Sequence, residues 1–358
     1  MWAIGIKEFR QLRRDRRTLA LMIVAPMLLL VVFGYAARFD VDEVPTVLVG
    51  EDAGQIAQLA PDEFAVVDAR AGGRAEAEDA LQRGEAAVAL VAGPAPIVLV
   101  DGAELFSAQA ALRALAGSAQ VAQPAPRPQV EVLFNPQLQT SAVMVPAIAG
   151  MIVVFIGTVI TSLGVVRERQ AGTLEQLGVM PFRPRDVFVG KVAPYFVVAS
   201  IDLAAVVGIS VWLFDVPFRG SAGTLVLGSL LFLFVTLGMG ILISSVSENQ
   251  GQAVQLALMA VLPQVLLSGM IFPIESMAAG VRWIAYLLPL TYFIELARGV
   301  MLRAAPVDAL WLPLAMLAAL GVAVFGLAVV RFRRDLAPAG RRTPQRTRPR
   351  TRALEAVR

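Results

Sequence analysis

The chain has 358 residues and contains neither cysteine nor histidine. Without cysteine, it has no disulfide, no thiol nucleophile and no thiolate metal ligand. Without histidine, it lacks the most frequent general base and the most frequent metal ligand in proteins. These absences argue against a hydrolase and against a metalloenzyme, so we expect a protein that is not an enzyme and has no metal site.

Charged residues are also scarce, at 16% of the chain, whereas 57% of the residues are hydrophobic and the mean hydropathy is +0.69. This composition excludes a soluble globular protein as the whole structure. Several apolar runs reach the length of about 20 residues that a helix needs to cross a bilayer. We therefore predict an α-helical membrane protein with six transmembrane helices, at residues 18–37, 141–166, 192–214, 221–246, 251–271 and 309–330.

The segment between the first two predicted helices, residues 38–140, differs from the rest in composition. It has fifteen acidic residues and six arginines, and short strand-like runs alternate with helix-like ones. About 100 residues suffice for a small domain with its own core. Such a domain would either space and protect a pore or handle substrate. We predict an α/β domain, with strands at 44–50, 65–68, 86–91, 96–101 and 129–134 and helices at 75–84 and 104–121.

Basic residues are distributed unevenly over the two sides of the six predicted helices. The side with both termini has 21 lysines and arginines, in residues 1–17, 167–191 and 331–358, whereas the other side has 10. The positive-inside rule therefore places both termini in the cytoplasm and the α/β domain outside it. We expect a multi-pass protein of the cell (inner, cytoplasmic) membrane. Residues 1–17 are predicted to form an amphipathic interfacial helix, and residues 331–358 a disordered basic tail.

The loop at 167–191 is a charged segment between two long apolar runs. It contains five basic and three acidic residues. At its centre, Leu174 and Leu177 are three positions apart, which places them on one face of a short helix. Pro181 and Pro184 are expected to end that helix. The charges alone leave two interpretations open, a helix that contacts a partner at the membrane surface and an ordinary cytoplasmic loop.

The sequence of this loop and its continuation, RERQAGTLEQLGVMPFRPRDVFVGKVAPY, resembles the hallmark segment of type-2 ABC exporter permeases. That segment has approximately the pattern R-E-R-E-x-G-T-x-E-Q-L, followed by a proline and by G-K. Gln170 stands where the family often has an acid. The resemblance implies that residues 167–178 form a coupling element that contacts a separate ATPase. The implied coupling residues are Arg167, Glu168, Arg169, Gly172, Thr173, Leu174, Glu175, Gln176 and Leu177.

Residues 272–306 are predicted to form a pair of short re-entrant or interfacial helices. The apolar part, 283–294, is only 12 residues long and contains Pro289, so it is too short to span a bilayer. Trp283 and Tyr286 suit the level of the lipid headgroups. The landmarks F-P, P-L-T-Y and R-G are again similar to the permease family, and the amphipathic start at 1–17 is similar to its interfacial elbow helix.

Polar residues within apolar segments are candidates for a transport path, because burying them in a membrane is costly. Asp202 lies ten residues into the predicted helix at 192–214, and Gln255 lies in the one at 251–271. Either residue could instead only hold neighbouring helices together. In the resembling family the 272–306 region lies near the outer end of the path. The resemblance therefore implies gating roles for Glu275, Arg282, Glu295 and Arg298, of which the last two could also pair locally.

The chain has no P-loop, because Gly190-Lys191-Val192 lacks the upstream glycine and the Ser/Thr of GxxxxGK[ST]. The resemblance implies the membrane permease subunit of an ATP-driven exporter, with ATP and Mg bound by a separate ATPase subunit and no cofactor bound by this chain. Family permeases pair, as homodimers or heterodimers, within the lipid bilayer. The apolar path favours an amphiphilic substrate, such as a drug, a lipid or a glycan-like molecule.

Two other functions remain open from the sequence. One is a proton-coupled secondary transporter with Asp202 as the relay, although the inverted repeats expected of such transporters are not evident. The other is a membrane-anchored sensor whose acidic extracytoplasmic domain is its working part. Nucleic acid is not expected as a partner, since nothing besides the basic tail would bind it.

Overall fold

The computed structural model describes residues 41, 43–51, 53, 63–93, 96–121, 128–171 and 184–336. It also describes five helical positions in the first predicted transmembrane segment, Ala20, Val24, Met27, Val31 and Gly34. The remainder of residues 1–40, the segment 172–183 and the tail 337–358 lie outside the described residues. The predicted interfacial helix at 1–17 and the central part of the predicted coupling element are therefore not described.

Residues 44–133 contain a five-stranded sheet, which we call the sheet domain together with two helices of its described residues. The strand order is β2-β1-β3-β4-β5, and every neighbouring pair is parallel except β3 and β4. The strands are β1 (Val44–Val49), β2 (Phe64–Arg70), β3 (Val88–Val91), β4 (Ile97–Asp101) and β5 (Gln129–Leu133). The helices are α1 (Arg74–Gln82) and α2 (Leu105–Val121).

In the described part of the domain, α1 covers one face of the sheet and α2 covers the other. Alternate residues of a strand point to opposite faces, so Val47 and Leu99 pack with Leu81 of α1, whereas Val98 and Val100 pack on the face that α2 covers. Both faces of the central strands are therefore buried. This explains why those strands have continuous apolar sequences rather than an apolar–polar alternation.

The rest of the described chain is almost entirely helical, which agrees with the predicted helical membrane protein. Five helices of the described residues are long and apolar enough to cross a membrane, Thr140–Glu168, Ala193–Leu213, Ala222–Val246, Gln250–Leu267 and Trp311–Arg331. They belong to α3 (Thr140–Phe155), α4 (Thr161–Gln170), α5 (Pro184–Leu213), α6 (Ala222–Val246), α7 (Gln250–Leu267) and α10 (Trp311–Leu336). A π-helical turn, Ile156–Ile160, joins α3 to α4 without a break.

Between α7 and α10 the chain forms a broken helix. Its parts are α8 (Ala279–Ala285) and α9 (Pro289–Arg298), and a π-helical turn, Gly299–Arg303, extends α9. The two parts are bent by 74°. Proline at the first position of α9 explains the break, because proline has no N–H to continue a preceding helix but suits the first turn of a new one.

The α9 helix packs in the middle of the bundle, against α3, α6 and α10. Glycines bring its neighbours close. A Cβ at Gly150 of α3 would lie 2.5 Å from Cδ1 of Phe293, and one at Gly228 of α6 would overlap Leu296. The ring of Phe293 also stacks on Phe232 of α6, with 4.4 Å between centroids. Small residues at such contacts allow helix backbones to approach closely.

The two ends of the bundle differ. At one end, Nε2 of Gln250 donates to Oε1 of Gln170 over 2.9 Å, so the end of α4 lies beside the turn between α6 and α7. At the other end, the sheet domain leads directly into α3, and the amide of Arg219 donates to the carbonyl of Met301 over 3.1 Å. Helix α4 thus ends, at Gln170, at the end of the bundle opposite the sheet domain.

Candidate functional site at the junction of the sheet domain and the broken helix

A cavity of about 330 Å³ lies where the sheet domain meets the broken helix. We call it the junction cavity. Its wall includes residues of both parts and six charged side chains, Glu85, Glu104, Glu275, Glu295, Arg298 and Arg303. Ligand sites occur preferentially at such boundaries between structural units, and typically measure about 300–1,000 Å³. The junction cavity is therefore the candidate site of this chain.

A charge network joins three side chains of the cavity wall, Glu104, Arg298 and Arg303, to Asp101, which lies buried behind it. Nε of Arg303 donates to Oδ2 of Asp101 over 2.7 Å, and Nη2 of the same residue donates to Oε1 of Glu104 over 2.8 Å. Nη1 of Arg298 reaches Oε2 of Glu104 over 3.4 Å. The side chain of Asp101 is fully buried, and those of both arginines are 7% exposed.

The turn after β4 and the π-helical turn after α9 position these side chains close to one another. Asp101 is the last residue of β4, and its carboxylate also accepts a hydrogen bond from the amide of Ala103 over 2.8 Å. The tight turn needs Gly102, because a Cβ there would lie 2.7 Å from the carbonyl oxygen of Asn135. On the other side, Arg303 ends the π-helical turn after α9, and Ala304 follows in the left-handed conformation (φ 53°). Such π-turns are frequent at functional sites.

Burial makes the charge of Asp101 costly. It raises the pKa of this carboxyl group to about 6, although the positive charge of Arg303 acts in the opposite direction. A buried ion pair repays its desolvation only when its geometry is good and its remaining hydrogen bonds are satisfied. The two short bonds of Arg303 offset part of this cost, and the raised pKa of Asp101 indicates that desolvation is the larger effect. Because both carboxylates belong to the sheet domain and both arginines to the broken helix and its π-turn, the network joins the two parts.

Two further contacts join the same parts outside the network. Nε2 of Gln82, at the end of α1, donates to the carbonyl of Ala304 over 3.0 Å. Nη1 of Arg83 donates to Oδ2 of Asp308 over 2.7 Å, and both side chains are exposed to solvent. This hydrogen bond lowers the pKa of Asp308. The junction thus has both a buried and an exposed ion pair.

Three of the residues with implied gating roles, Glu275, Glu295 and Arg298, meet at the junction cavity. The surrounding protein displaces water from Glu275 and raises its pKa, and the nearby carboxylate of Glu104 acts in the same direction. The local pair of Glu295 with Arg298 is not among the ion pairs of the described residues. Arg298 instead pairs with Glu104 and donates to the carbonyl of Gly269 over 3.3 Å, because those acceptors lie on the buried side of α9.

Arg282, the fourth residue with an implied gating role, makes its contacts in the turn before α8. Its guanidinium group donates to the carbonyl oxygens of Glu275 and Met277, the second over 3.2 Å, and the residue is not on the cavity wall. The side chain thereby holds the turn that precedes α8. Arg282 supports the segment carrying Glu275 and does not face the cavity.

Asp202 and Gln255 lie away from the junction cavity, on α5 and α7. Oδ2 of Asp202 and Oε1 of Gln255 are buried, and neither has a hydrogen-bond partner among the described residues. The six residues proposed for a transport path therefore do not form one site. The structure brings three of them together, and Arg282, Asp202 and Gln255 lie elsewhere.

The sequence-based analysis missed Asp101, Glu104 and Arg303 as functional candidates. The ion pairs of Arg303 join residues that are 202 and 199 positions apart, so no local spacing reveals them. A weak signal was available, since Arg303 ends the apolar run of the broken helix and Asp101 ends an apolar strand. A charge at the end of a buried element needs a partner.

The coupling residues are only partly described. Helix α4 continues past residue 166, the predicted end of the transmembrane segment, to Gln170. It therefore includes Arg167, which is exposed, together with Glu168 and the backbone of Arg169. The other predicted coupling residues, Gly172, Thr173, Leu174, Glu175, Gln176 and Leu177, lie outside the described residues.

The long apolar helices define a multi-pass membrane protein, and comparison with known proteins identifies its class. A family model described as "ABC-2 family transporter protein" matches residues 16–330. The match covers most of the chain, and the chain belongs to the ABC-2 transporter family. It is a transmembrane subunit of an ABC transporter. The predicted family is thus confirmed, and membership implies association with an ABC ATPase subunit.

Three relatives from Escherichia coli (strain K12) illustrate the similarity. The "Probable multidrug ABC transporter permease YbhS" is 30% identical over 364 residues, which are 93% of this chain and 97% of the relative. The "Probable multidrug ABC transporter permease YbhR" is 27% identical over 371 residues, or 94% and 99% of the two chains. The "Inner membrane transport permease YhhJ" is 31% identical over 218 residues, or 58% and 56%.

Proposed function

We propose that this chain is the permease subunit of an ATP-driven exporter that moves an amphiphilic substrate out of the cytoplasm or the inner leaflet. One structural observation carries the proposal. The continuous helix formed by α3, its π-turn and α4 has 31 residues, from Thr140 to Gln170. It connects the sheet domain to the start of the coupling segment over about 45 Å, at the usual rise per residue. A displacement of the coupling segment would therefore be transmitted to the junction cavity by this one rigid helix.

In this proposal the coupling segment and both termini lie in the cytoplasm, and the sheet domain lies outside the inner membrane. The distribution of lysine and arginine supports this orientation. The segment 172–183 and the tail both follow helix ends at the same end of the bundle, beside the turn at 247–249. The sheet domain and the junction cavity then lie on the side where an exporter releases its substrate.

ATP and Mg belong to the separate ATPase subunit, since this chain has no GxxxxGK[ST] loop to hold the phosphates. Two permease chains and two ATPase subunits form the complete transporter. Closure of the ATPase pair on ATP moves the helix around Glu175 and Leu177 as a rigid body, and α4 transmits the movement. The relatives named as multidrug permeases support an amphiphilic substrate.

The proposal is tested by purifying the tagged chain in mild detergent and assaying ATPase activity in the eluate. We expect an ATPase subunit to co-purify and its hydrolysis to rise with substrate. Glu175→Arg or Leu177→Asp should leave membrane insertion intact and abolish both co-purification and stimulation, because each change disrupts the proposed docking face. Glu43→Arg, the same charge reversal at an exposed position of the sheet domain, is the matched control.

Stimulation that is unchanged in both coupling variants would contradict the proposal. So would transport that persists without any ATPase but collapses with the proton gradient, which is the result expected of a secondary transporter using Asp202. A sensor would show a third pattern, in which deletion of residues 45–130 abolishes function and the coupling variants have no effect.

A further inference from the structure

The junction cavity has more negative charge than its own arginines neutralise. Glu104 pairs with Arg298 and Arg303, and Glu85 pairs with Arg70 over 2.6 Å. Glu275 and Glu295 are on the same wall, both are accessible, and neither forms an ion pair within the described part of the chain. Two carboxylates in one recess without a direct ion pair attract a cation.

Two residues of the cavity wall also carry a buried polar atom without a partner among the described groups. The hydroxyl of Ser268 belongs to a residue that is only 1% exposed, and it has no hydrogen bond to any described group. Nε of Arg298 is equally buried and without a partner. Both groups can donate a hydrogen bond. An unsatisfied buried donor costs free energy, about 1–3 kcal/mol in general, unless an acceptor oxygen fills the gap.

The remainder of the wall is apolar and aromatic. Phe106 and Leu105 come from the sheet domain, whereas Ile274, Tyr286 and Ile294 come from the region of the broken helix. Aromatic rings attract an ammonium group as well as apolar carbon. The same recess therefore has separate places for an apolar body, for a positive charge and for an acceptor oxygen.

A metal ion does not fit this arrangement. Within the described ranges, no three acidic side chains come close enough together to hold one. The carboxylates are distributed over the sheet domain, the turn before α8 and the helix α9, as expected for contact with an extended organic molecule.

We propose that the junction cavity binds an amphiphilic organic cation that has a hydrogen-bond acceptor oxygen near its amine. Glu295 and Glu275 bind the protonated amine, Ser268 and Arg298 donate to the oxygen, and the apolar wall holds the hydrocarbon or aromatic part. This inference names the substrate class for the proposed exporter and rests on that function. In the exporter, the cavity is a binding site on the outer side of the path.

The test uses procainamide, an aromatic amide with a tertiary amine that is protonated at neutral pH. Its control ligand is the uncharged carba analogue, in which a CH group replaces the amine nitrogen. Binding of each radiolabelled compound is measured by equilibrium dialysis against the full chain in phosphatidylcholine nanodiscs. We expect procainamide to bind at least about tenfold more tightly than the analogue, because only procainamide makes the ionic contact.

Three variants assign the contacts. Glu295→Gln keeps the shape of the side chain and removes its charge. It should therefore weaken the binding of procainamide by about tenfold and leave the affinity for the analogue unchanged. Ser268→Ala removes the hydroxyl group and should lower the affinities for procainamide and for the analogue by a similar factor. Glu131→Gln, an exposed carboxylate on β5 outside the cavity, is the matched control and should change neither.

Equal affinity for procainamide and its analogue would overturn the proposal, as would a Glu295→Gln variant that binds procainamide like the unaltered chain. If the Glu295→Gln variant binds neither procainamide nor the analogue, the substitution has changed the shape of the cavity. The selective loss of procainamide that the proposal requires is then absent, and the proposal fails. The binding assay contains no ATPase. A chain that stimulates its ATPase but shows no preference for procainamide therefore refutes the ligand class alone. A chain that binds procainamide selectively but co-purifies with no ATPase subunit refutes the exporter alone.

Discussion

Two ion pairs join the sheet domain to the segment that follows α9, and they differ in their exposure to water. Asp101 and Arg303 form a buried pair, with further bonds to Glu104 and Ala103. Arg83 and Asp308 form an exposed pair of the same length, 2.7 Å. The comparison shows that distance alone does not measure what an ion pair contributes. The buried pair is costly to form and very costly to break, whereas water and salt screen the exposed one.

The largest effect is expected from Arg303→Gln. The change leaves the carboxylate of Asp101 buried without its partner, which generally costs about 3–5 kcal/mol. Thermal unfolding of the purified chain should show a large decrease in midpoint. Arg219→Gln removes the same charge from an exposed residue at the same end of the bundle and is the control. Similar decreases in the two variants would contradict the larger contribution of the buried network to the stability of the fold.

A medium effect is expected from pH. Because the pKa of Asp101 is raised to about 6 in the folded chain, the folded state binds its proton more tightly than the unfolded state does. This carboxyl group therefore favours the folded state below the unfolded pKa, and that contribution is lost as the pH rises through about 6.

The measurement compares thermal unfolding of the unaltered chain and of the Asp101→Asn variant between about pH 4.5 and about pH 7, an interval that contains the shifted pKa of about 6. As the pH rises, the midpoint of thermal unfolding should decrease more for the unaltered chain than for the Asp101→Asn variant, since the amide of asparagine does not titrate. Parallel pH profiles of the two proteins would contradict the assignment of the shift to Asp101.

The smallest effect is expected from Asp308→Asn, which removes the exposed pair with Arg83. The midpoint of thermal unfolding should change by no more than the scatter between preparations, because exposed pairs generally contribute little. The pair should also be sensitive to salt, so any difference between the two proteins that exists at low ionic strength should vanish at high ionic strength. A loss as large as that of Arg303→Gln would invalidate the comparison of buried with exposed pairs.

The sequence allowed much of the fold to be predicted because its strongest signals are local. Long apolar runs predicted the helices at 141–166 and 221–246, and the described helices Thr140–Glu168 and Ala222–Val246 lie at the same places. In the sheet domain, the run predicted as a strand at 96–101 corresponds to β4 (Ile97–Asp101). Burial of an entire apolar element leaves a pattern that needs no knowledge of its partners.

The candidate site was less predictable because its contacts are long-range. Glu275, Glu295 and Arg298 stood out within an apolar segment, and all three line the junction cavity. Glu104, the partner of Arg298 in the sheet domain, did not stand out, because an acidic residue at the start of a helix in an acidic domain has no distinctive local signal. The bend of 74° before α9 and the π-turn after it decide which side chains meet, and neither is encoded in a simple spacing.

The glycine contacts of α9 have a consequence for how a passage at the junction can open. Gly150 and Gly228 leave no spare volume between α9 and its neighbours α3 and α6, and a third close contact joins those neighbours, where a Cβ at Gly240 would lie 2.5 Å from the carbonyl oxygen of Gly157. Closely packed interiors are hardly compressible. The three helices therefore have few independent degrees of freedom, and α9 cannot swing aside while α3 stays in place. Any widening of the junction cavity must be accompanied by displacement of the long helix that ends at Gln170.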